Sequence, residues 1–300
     1  MLKNNEVKNA IPLFAAIAAL LIAVPVRVYQ YSRIINPETG FFDEINASVY
    51  VLYIVLALAV IIGIIVPFMK HNTMKLVPVA TKSTGYTVVS LLLAVTLIVD
   101  SAVQLMTYFD MFSAASLAGS GIKAYISAQG GNLLLLQSIT GALSAVYFFV
   151  TGVAIGLGNS DSSKFKILAL LPSVWCIFRL LYRFKRTISF VNVSDLLLEL
   201  FFIVFSLMFF FALAQINSKI DTCDEDNSMK NVFWKIFGYG IPAAVIGLTI
   251  FLPRFICLIT GKSECLGSLY KVNYSDFAAA VYAIYTCISA TKAQGKITEE

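Results

Sequence analysis

Apolar runs of about twenty residues alternate with short polar connections along nearly the whole chain. An α-helix needs roughly 20 mostly apolar residues to cross a bilayer core about 30 Å thick. The runs therefore predict an all-α, polytopic integral membrane bundle of about eight helices, or seven if the last is peripheral. No long hydrophilic stretch interrupts them, which predicts a single transmembrane domain over residues 1–300. The predicted spans are 10–29, 48–69, 86–109, 133–157, 165–183, 195–216, 234–256 and 276–291.

The composition agrees with this class. Hydrophobic residues make up 59% of the chain and charged residues 13%, against about 45–50% and about 25% in soluble domains. An alternative interpretation of the first run is a cleaved signal peptide, because Lys3 and Lys8 precede it. The run continues into Pro25-Val26-Arg27, which has a counterpart later in the chain and favours an uncleaved span.

The orientation is predicted from lysines and arginines near the span ends, which are more frequent on the cytoplasmic side. The N-terminal arm, the even-numbered connections and the C-terminal tail hold twelve of the 22 lysines and arginines. Three arginines on the other side, Arg27, Arg179 and Arg254, lie in or at the ends of helices and count little as loop charges. The distribution predicts that both termini are cytoplasmic, in a plasma-membrane protein. The basic segment from Arg183 to Arg186 argues against this orientation.

A weak internal repeat links the helical hairpins. When Arg27 is aligned with Arg254, three downstream pairs are identical: Gly40 and Gly267, Asn46 and Asn273, Ser48 and Ser275. A third hairpin has Arg179 followed by Asn192-Val193-Ser194-Asp195. The pattern predicts a bundle built from hairpin repeats, and transporters often bind substrate at a repeat interface. The Asn-x-Ser triplets are glycosylation motifs, but their position at helix starts favours helix capping.

Seven polar residues in or near the spans form the candidate binding site. A charge near the bilayer centre costs about 2.5–3.5 kcal/mol on insertion scales, so it usually has a partner in protein or water. At about 1.5 Å per residue, positions from four helices are predicted to share one layer in the outer half of the membrane. The layer holds Asp100, Gln137, Arg179 and Glu199, with Arg27 and Arg254 slightly above it, and Gln104 lies one turn from Asp100.

This layer has two interpretations. In the first it is structural: Arg179 pairs with Glu199, and Asp100 pairs with Arg27 or Arg254. In the second it lines a water-accessible cavity for an anionic or zwitterionic solute or a lipid head group, because a guanidinium binds carboxylate and phosphate in a planar fork.

Three functions follow in order of preference. The first is a transporter or carrier of a small anionic or zwitterionic solute. The second is a non-catalytic accessory or sensor subunit that binds another membrane protein. The third, least favoured, is a lipid-modifying enzyme with Asp100 or Glu199 as the acid or base. Membrane lipids are the expected surroundings in every case.

The sequence lacks the residues that several other functional classes require. The only histidine is His71, in a connection, so a histidine-based metal centre or a Ser-His-Asp triad has no support. No phosphate-binding P-loop occurs, and no basic soluble face for nucleic acid is present. The sequence predicts no cofactor.

Two further patterns concern the structure alone. Gly152 and Gly156 form a G-x-x-x-G pattern that predicts close helix packing within the chain. The acidic run 221–226 is predicted to be a solvated loop.

Overall fold

The structure, a computed structural model, is all-helical: 89% of the residues that it describes lie in helices, and none lies in a strand. The described ranges are 4–70, 83–117, 121–158, 167–186, 193–218, 230–266 and 272–297. Within them the only β-type pairing is an isolated bridge between Ile35 and Phe42. The predictions for His71, Asn192 and the acidic run 221–226 concern residues outside these ranges.

Nine α-helices follow one another in the described ranges. They are α1 (Asn4–Arg33), α2 (Ala47–Met69), α3 (Thr84–Leu117), α4 (Ile122–Ala128), α5 (Gly131–Gly156), α6 (Leu171–Arg186), α7 (Val193–Ser218), α8 (Lys230–Ile259) and α9 (Tyr274–Ile297). Short 3₁₀ helices precede α6 at Leu168–Leu170 and follow α8 at Ser263–Leu266.

Six of these helices are long and apolar enough to cross a membrane: α1, α2, α3, α5, α7 and α8. This indicates an integral membrane protein. The predicted count of eight spans is not confirmed, because α6 and α9 are not among the six. α6 has 16 residues, about 24 Å of helix, which is shorter than the bilayer core. α9 is long enough but includes Asp276, Thr286 and Lys292, which lower its apolar content.

Helices that are neighbours in sequence pack as hairpins: α1 with α2, α3 with α5, α6 with α7, and α8 with α9. α8 occupies the centre and also packs against α1, α2 and α7. The most apolar window of α8 is 78% buried, whereas those of α1, α2 and α3 are 28% buried. The outer helices therefore expose most of their apolar side chains to lipid. The four hairpins fit a repeat, but the repeat itself stays a prediction.

Small residues set the approach of several helices. A Cβ atom at Gly152 would lie 2.9 Å from the Cβ of Ser90, and one at Gly156 would lie 3.0 Å from Oγ1 of Thr87. The G-x-x-x-G face of α5 therefore packs against α3 within the chain, as predicted. Because both residues lack a side chain, α3 and α5 come closer than larger residues would allow.

The helix start at Asn46 shows the predicted capping. Asn46 has an extended backbone and its side-chain oxygen accepts a hydrogen bond from the backbone N–H of Ser48, at 2.9 Å. A capping side chain of this kind satisfies one of the backbone donors that a helix start leaves free. The Ser48 end of α2 also receives a side-chain bond from Gln30 of α1, at 3.0 Å, which fixes the first hairpin beside the charged residues described next.

Candidate functional site

The charged residues meet where α1 ends and α7 begins. Arg27 lies two turns before the end of α1, is 1% exposed, and forms an ion pair with Asp195 in the first turn of α7. The same guanidinium donates to Gln30 Oε1 at 2.8 Å, and its carbon lies 4.9 Å from the ring centre of Tyr31. Arg27 therefore joins the first hairpin to the third.

Arg254, near the end of α8, binds the same carboxylate from another direction. Its guanidinium lies 3.2 Å from Oδ2 of Asp195 and 3.0 Å from Oε1 of Glu199. The Tyr31 hydroxyl donates to Asp195 at 2.8 Å. Arg183 of α6 reaches the other oxygen of Glu199 at 2.9 Å, with a side chain that is 33% exposed. We call Arg27, Arg183, Asp195, Glu199 and Arg254 the ionic network.

A second ion pair lies beside this network. Arg179 of α6 binds Asp276 of α9 through both guanidinium nitrogens, one of them 2.8 Å from Oδ2. Its guanidinium carbon is 5.4 Å from the Trp175 ring centre. Arg179 also interacts electrostatically with Asp100 and Glu199. Through Glu199, the Arg179–Asp276 pair is coupled to the ionic network.

The polar residues of α3 and α5 complete the region. Asp100 accepts hydrogen bonds from Gln104 at 2.8 Å and from Ser275 of α9 at 3.2 Å. Gln137 of α5 is 4% exposed. One residue later, Ser138 donates to the backbone carbonyl of Ser101 at 2.8 Å, which places Gln137 at the height of this part of α3.

Six of the seven residues predicted from the sequence are linked by contacts or electrostatic interactions, and Gln137 lies at a similar height on α5. Their partners differ from those expected. Arg179 pairs with Asp276 and not with Glu199, and Glu199 pairs with Arg254 and Arg183. Asp100 forms no ion pair among the described residues. The role of the seven residues as a binding site stays a prediction.

Sequence reasoning missed the two carboxylates at the centre of the ion pairs. Asp195 and Asp276 each follow an Asn-x-Ser triplet, and the predicted site includes neither of them. The signal that could have identified them is this equivalence: the same motif places one buried carboxylate at the start of α7 and another at the start of α9. Tyr31 carries no such signal, because its role depends on contacts across three helices.

Charge is balanced in this region. Four arginines face four carboxylates: Arg27, Arg179, Arg183 and Arg254, with Asp100, Asp195, Glu199 and Asp276. Most of the guanidinium surface is therefore occupied by carboxylates of the same chain. An ion pair in a low-dielectric interior seldom stabilises a fold more than apolar residues of the same volume would.

The opposite half of the bundle holds a second polar layer, made of hydroxyl groups and aromatic rings. The hydroxyls of Tyr86 in α3 and Tyr282 in α9 are hydrogen-bonded, and those of Ser83 and Tyr285 lie 3.1 Å apart. The Tyr282 ring packs on Phe148 with centroids 5.1 Å apart. Tyr282 follows Asp276 by six residues, about 9 Å along α9. Polar groups therefore continue along α3 and α9 below the ion pairs.

The described residues hold no cluster of three or more histidine, cysteine or acidic side chains arranged for a metal ion. Comparison with known proteins adds no identity: the chain matches no protein-family model, no curated protein and no solved structure.

Proposed function

We propose that the protein is a carrier of a small zwitterionic solute, or of a small anion, and that the ionic network is its closed gate on one side of the membrane. The observation that carries the proposal is the buried network itself. It joins α1, α6, α7 and α8 through ion pairs, at a depth where ionisable residues usually mark a solute or ion pathway.

The position of the ion pairs suits a gate. Arg27 connects the first hairpin to the third, and Arg254 and Arg179 connect the fourth hairpin to the third. Separation of these pairs would free the hairpins to move relative to one another, as alternating access requires. The layer of Tyr86, Tyr282 and Tyr285 would close the opposite half.

The balance of charge favours a zwitterion over a simple anion. A zwitterion offers one carboxylate to a guanidinium and one ammonium to a carboxylate, so it can take the place of both partners of a separated pair. An anion would replace only the carboxylate, and a buried acidic residue would then be left without its partner at a large cost.

Transport by purified protein in proteoliposomes tests this proposal. Vesicles loaded with a mixture of unlabelled amino acids should accumulate the same labelled amino acids by counterflow, and a parallel set with succinate and phosphate tests the anionic alternative. Arg254→Lys keeps the charge but loses the planar fork that holds Asp195 and Glu199. We expect the counterflow rate of this variant to be lower by about tenfold or more, since a hydrogen bond to a charged group contributes roughly 1.5–3 kcal/mol.

Arg33→Lys is the matched control, because Arg33 is an exposed arginine at the end of α1. It should leave counterflow unchanged. Monodispersity of each variant must match that of the native protein before rates are compared. Absence of counterflow for both solute sets with folded protein would falsify the carrier proposal.

A second candidate is an accessory or sensor subunit of a membrane complex, which the closed ion pairs favour. In that case the network would serve only to hold the hairpins together. The protein should then copurify with one membrane partner at fixed stoichiometry after mild solubilisation, and it should move no solute alone.

The orientation with cytoplasmic termini in the plasma membrane belongs to either proposal, and protease cleavage of terminal tags in sealed cells tests it.

A further inference from the structure

Two buried side chains between α3 and α5 have hydrogen-bonding atoms that the ion pairs do not use. The Oε1 atoms of Gln104 and Gln137 have no hydrogen-bond partner among the described residues. Gln104 is 9% exposed and Gln137 is 4% exposed. A buried acceptor without a partner destabilises a fold. Two such oxygens on different helices therefore point to a group that both can bind.

The register of the two helices places these amides at similar heights. The Ser138 hydroxyl donates to the Ser101 carbonyl at 2.8 Å, so these two residues mark one level of the antiparallel pair. Gln104 lies three residues after Ser101, and Gln137 lies one residue before Ser138. Both steps lead in the same direction along the membrane normal, and at 1.5 Å per residue the two levels differ by about 3 Å.

A carboxylate lies one helical turn from Gln104 on α3. Asp100 Oδ2 accepts from Gln104 Nε2 at 2.8 Å and from the Ser275 hydroxyl at 3.2 Å. Both donors are neutral, and Asp100 has no ion pair among the described residues. Arg179 and Arg183 act on it electrostatically, but Arg179 is held by both oxygens of Asp276 and Arg183 by Glu199. We call Asp100, Gln104 and Gln137 the amide site.

The amide site offers one negative charge and two neutral carbonyl oxygens, with Oε1 of each amide free to accept. Oxygen atoms of this kind suit a hard cation or the N–H donors of a primary ammonium group. We infer that the amide site binds a small monovalent cation, either Na⁺ or the ammonium group of a solute. The inference rests on the proposed carrier function, to which it adds a coupling ion or the cationic end of the substrate.

Thermal unfolding of the purified full-length protein measures this binding without any transport. The midpoint is followed at constant ionic strength in sodium chloride, in methylammonium chloride and in N-methyl-D-glucamine chloride, whose cation is much larger than the other two and serves as the reference. A ligand that binds only the folded state raises the midpoint in proportion to the logarithm of its concentration above its dissociation constant. We expect Na⁺ or methylammonium to raise the midpoint relative to N-methyl-D-glucamine.

Variants assign the effect to the amide site. Gln137→Leu keeps the volume and removes one acceptor, and it should raise the half-saturating cation concentration about tenfold, since a hydrogen bond to a charged group is worth about one decade of affinity or more. Asp100→Asn should abolish the response. Asp110→Asn is the control, because Asp110 is an exposed carboxylate on the same helix, and it should leave the response unchanged. If Asp100→Asn does not fold, Gln137→Leu decides the result.

Each outcome is informative. A response to Na⁺ alone identifies an ion site, and a response to methylammonium alone identifies a solute ammonium site. Equal midpoints in all three salts, or a response that survives in Gln137→Leu with unchanged half-saturation, would overturn the inference. Counterflow without a cation response would contradict only the proposed cation binding at the amide site. A cation response without counterflow would contradict only the proposed carrier function.

Discussion

At the scale of single residues, the molecule is organised by carboxylates that serve more than one donor. Asp195 receives Arg27, Arg254 and the Tyr31 hydroxyl, and Glu199 receives Arg254 and Arg183. Arg179 and Asp276 form instead a bidentate ion pair, in which neither residue is shared with a second ion pair. This pair is the simplest place to separate structural from functional roles, because each partner can be removed by itself.

Removing one partner of the Arg179–Asp276 pair should be more harmful than removing both. Arg179→Met and Asp276→Leu each leave an uncompensated buried charge, which costs about 3–5 kcal/mol. The double variant replaces the pair by apolar side chains and should recover at least half of that loss. Reversible unfolding in detergent of the native protein, the two single variants and the double variant gives the coupling free energy.

Arg33→Met provides the control for this cycle, since Arg33 is exposed on α1 and its loss should change stability by no more than about 0.5 kcal/mol. Additive effects of the two single substitutions, within about 0.5 kcal/mol, would contradict the pairing. In a carrier the double variant is stable but inactive, whereas a purely structural pair leaves the function of the double variant intact.

The residue types of the site were predictable from the sequence, but the pairs were not. A charged side chain within an apolar run is visible without a structure, because insertion of a charge is costly and needs a reason. Its partner depends on which helices are neighbours. Arg27 and Asp195 are far apart in the chain, and their contact follows from the docking of the first hairpin on the third. Hydropathy carries no information about that docking.

At the scale of helices, close approach around α8 depends on glycine. A Cβ atom at Gly247 would lie 2.6 Å from a ring carbon of Phe202 in α7 and 3.0 Å from the Cβ of Ala280 in α9. Phe202 is itself buried in the core. α8 therefore fits between two neighbours only because it presents no side chain there. The same packing holds Arg254, two turns later, against Glu199.

Gly247→Ala should destabilise the protein by about 1–3 kcal/mol, the usual cost of inserting a methyl group into a filled core. Gly121→Ala is the matched control, because a Cβ atom at Gly121 would meet no atom within 4 Å. The midpoints of thermal unfolding of the two variants, measured in one detergent, check the prediction. Equal midpoints would mean that α8 does not pack this closely against α7 and α9.

The start of α2 gives a second prediction at this scale. Asn46→Ala removes the side-chain oxygen that accepts from Ser48, and it should cost about 1 kcal/mol. Asn46→Ser keeps a capping oxygen and should be close to neutral. Since both substitutions destroy the glycosylation motif, a loss of stability common to both would favour a glycan at Asn46 over the cap.

The sequence predicted helices at the positions of α1, α2 and α9, but only α1 and α2 are apolar enough to be supported as membrane spans. The most apolar windows of α1 and α2 are only 28% buried. The predicted bounds of α2, 48–69, agree with the observed Ala47–Met69, whereas α1, predicted over 10–29, extends over Asn4–Arg33. α9 is enclosed by α3 and α8 and can include the buried Tyr282 and Thr286. For such a helix, hydropathy is a weaker signal than it is for a helix that faces lipid.

At the scale of the whole molecule, two polar layers lie in one bundle of hairpins. The ionic network and the Arg179–Asp276 pair lie on the side where α1 ends and α7 begins, which we call the network side. The tyrosine layer around Tyr86 and Tyr282 lies in the other half. A carrier must open the two layers in turn, whereas an accessory subunit needs neither to open.

Cys176 is a native reporter of such opening. It is 1% exposed, lies next to Trp175 in α6, and is close enough to Arg179 and Asp276 for electrostatic interaction. If the ion pairs form a gate, we expect water to reach its thiol from the network side when they separate. Cys287, also buried but on the far half of α9 beside Ile236, serves as the internal control for general unfolding.

The most direct measurement is the labelling of Cys176 by a membrane-impermeant charged maleimide added to the network side of intact membranes, quantified by peptide mass spectrometry. If the ionic network is a gate, we expect time-dependent labelling of Cys176 in the native protein, faster labelling in Asp195→Asn, and no labelling of Cys287 before denaturation. Cys176 that stays unlabelled in both proteins until they are denatured would contradict a gate, because the ion pairs would then stay closed in the folded protein.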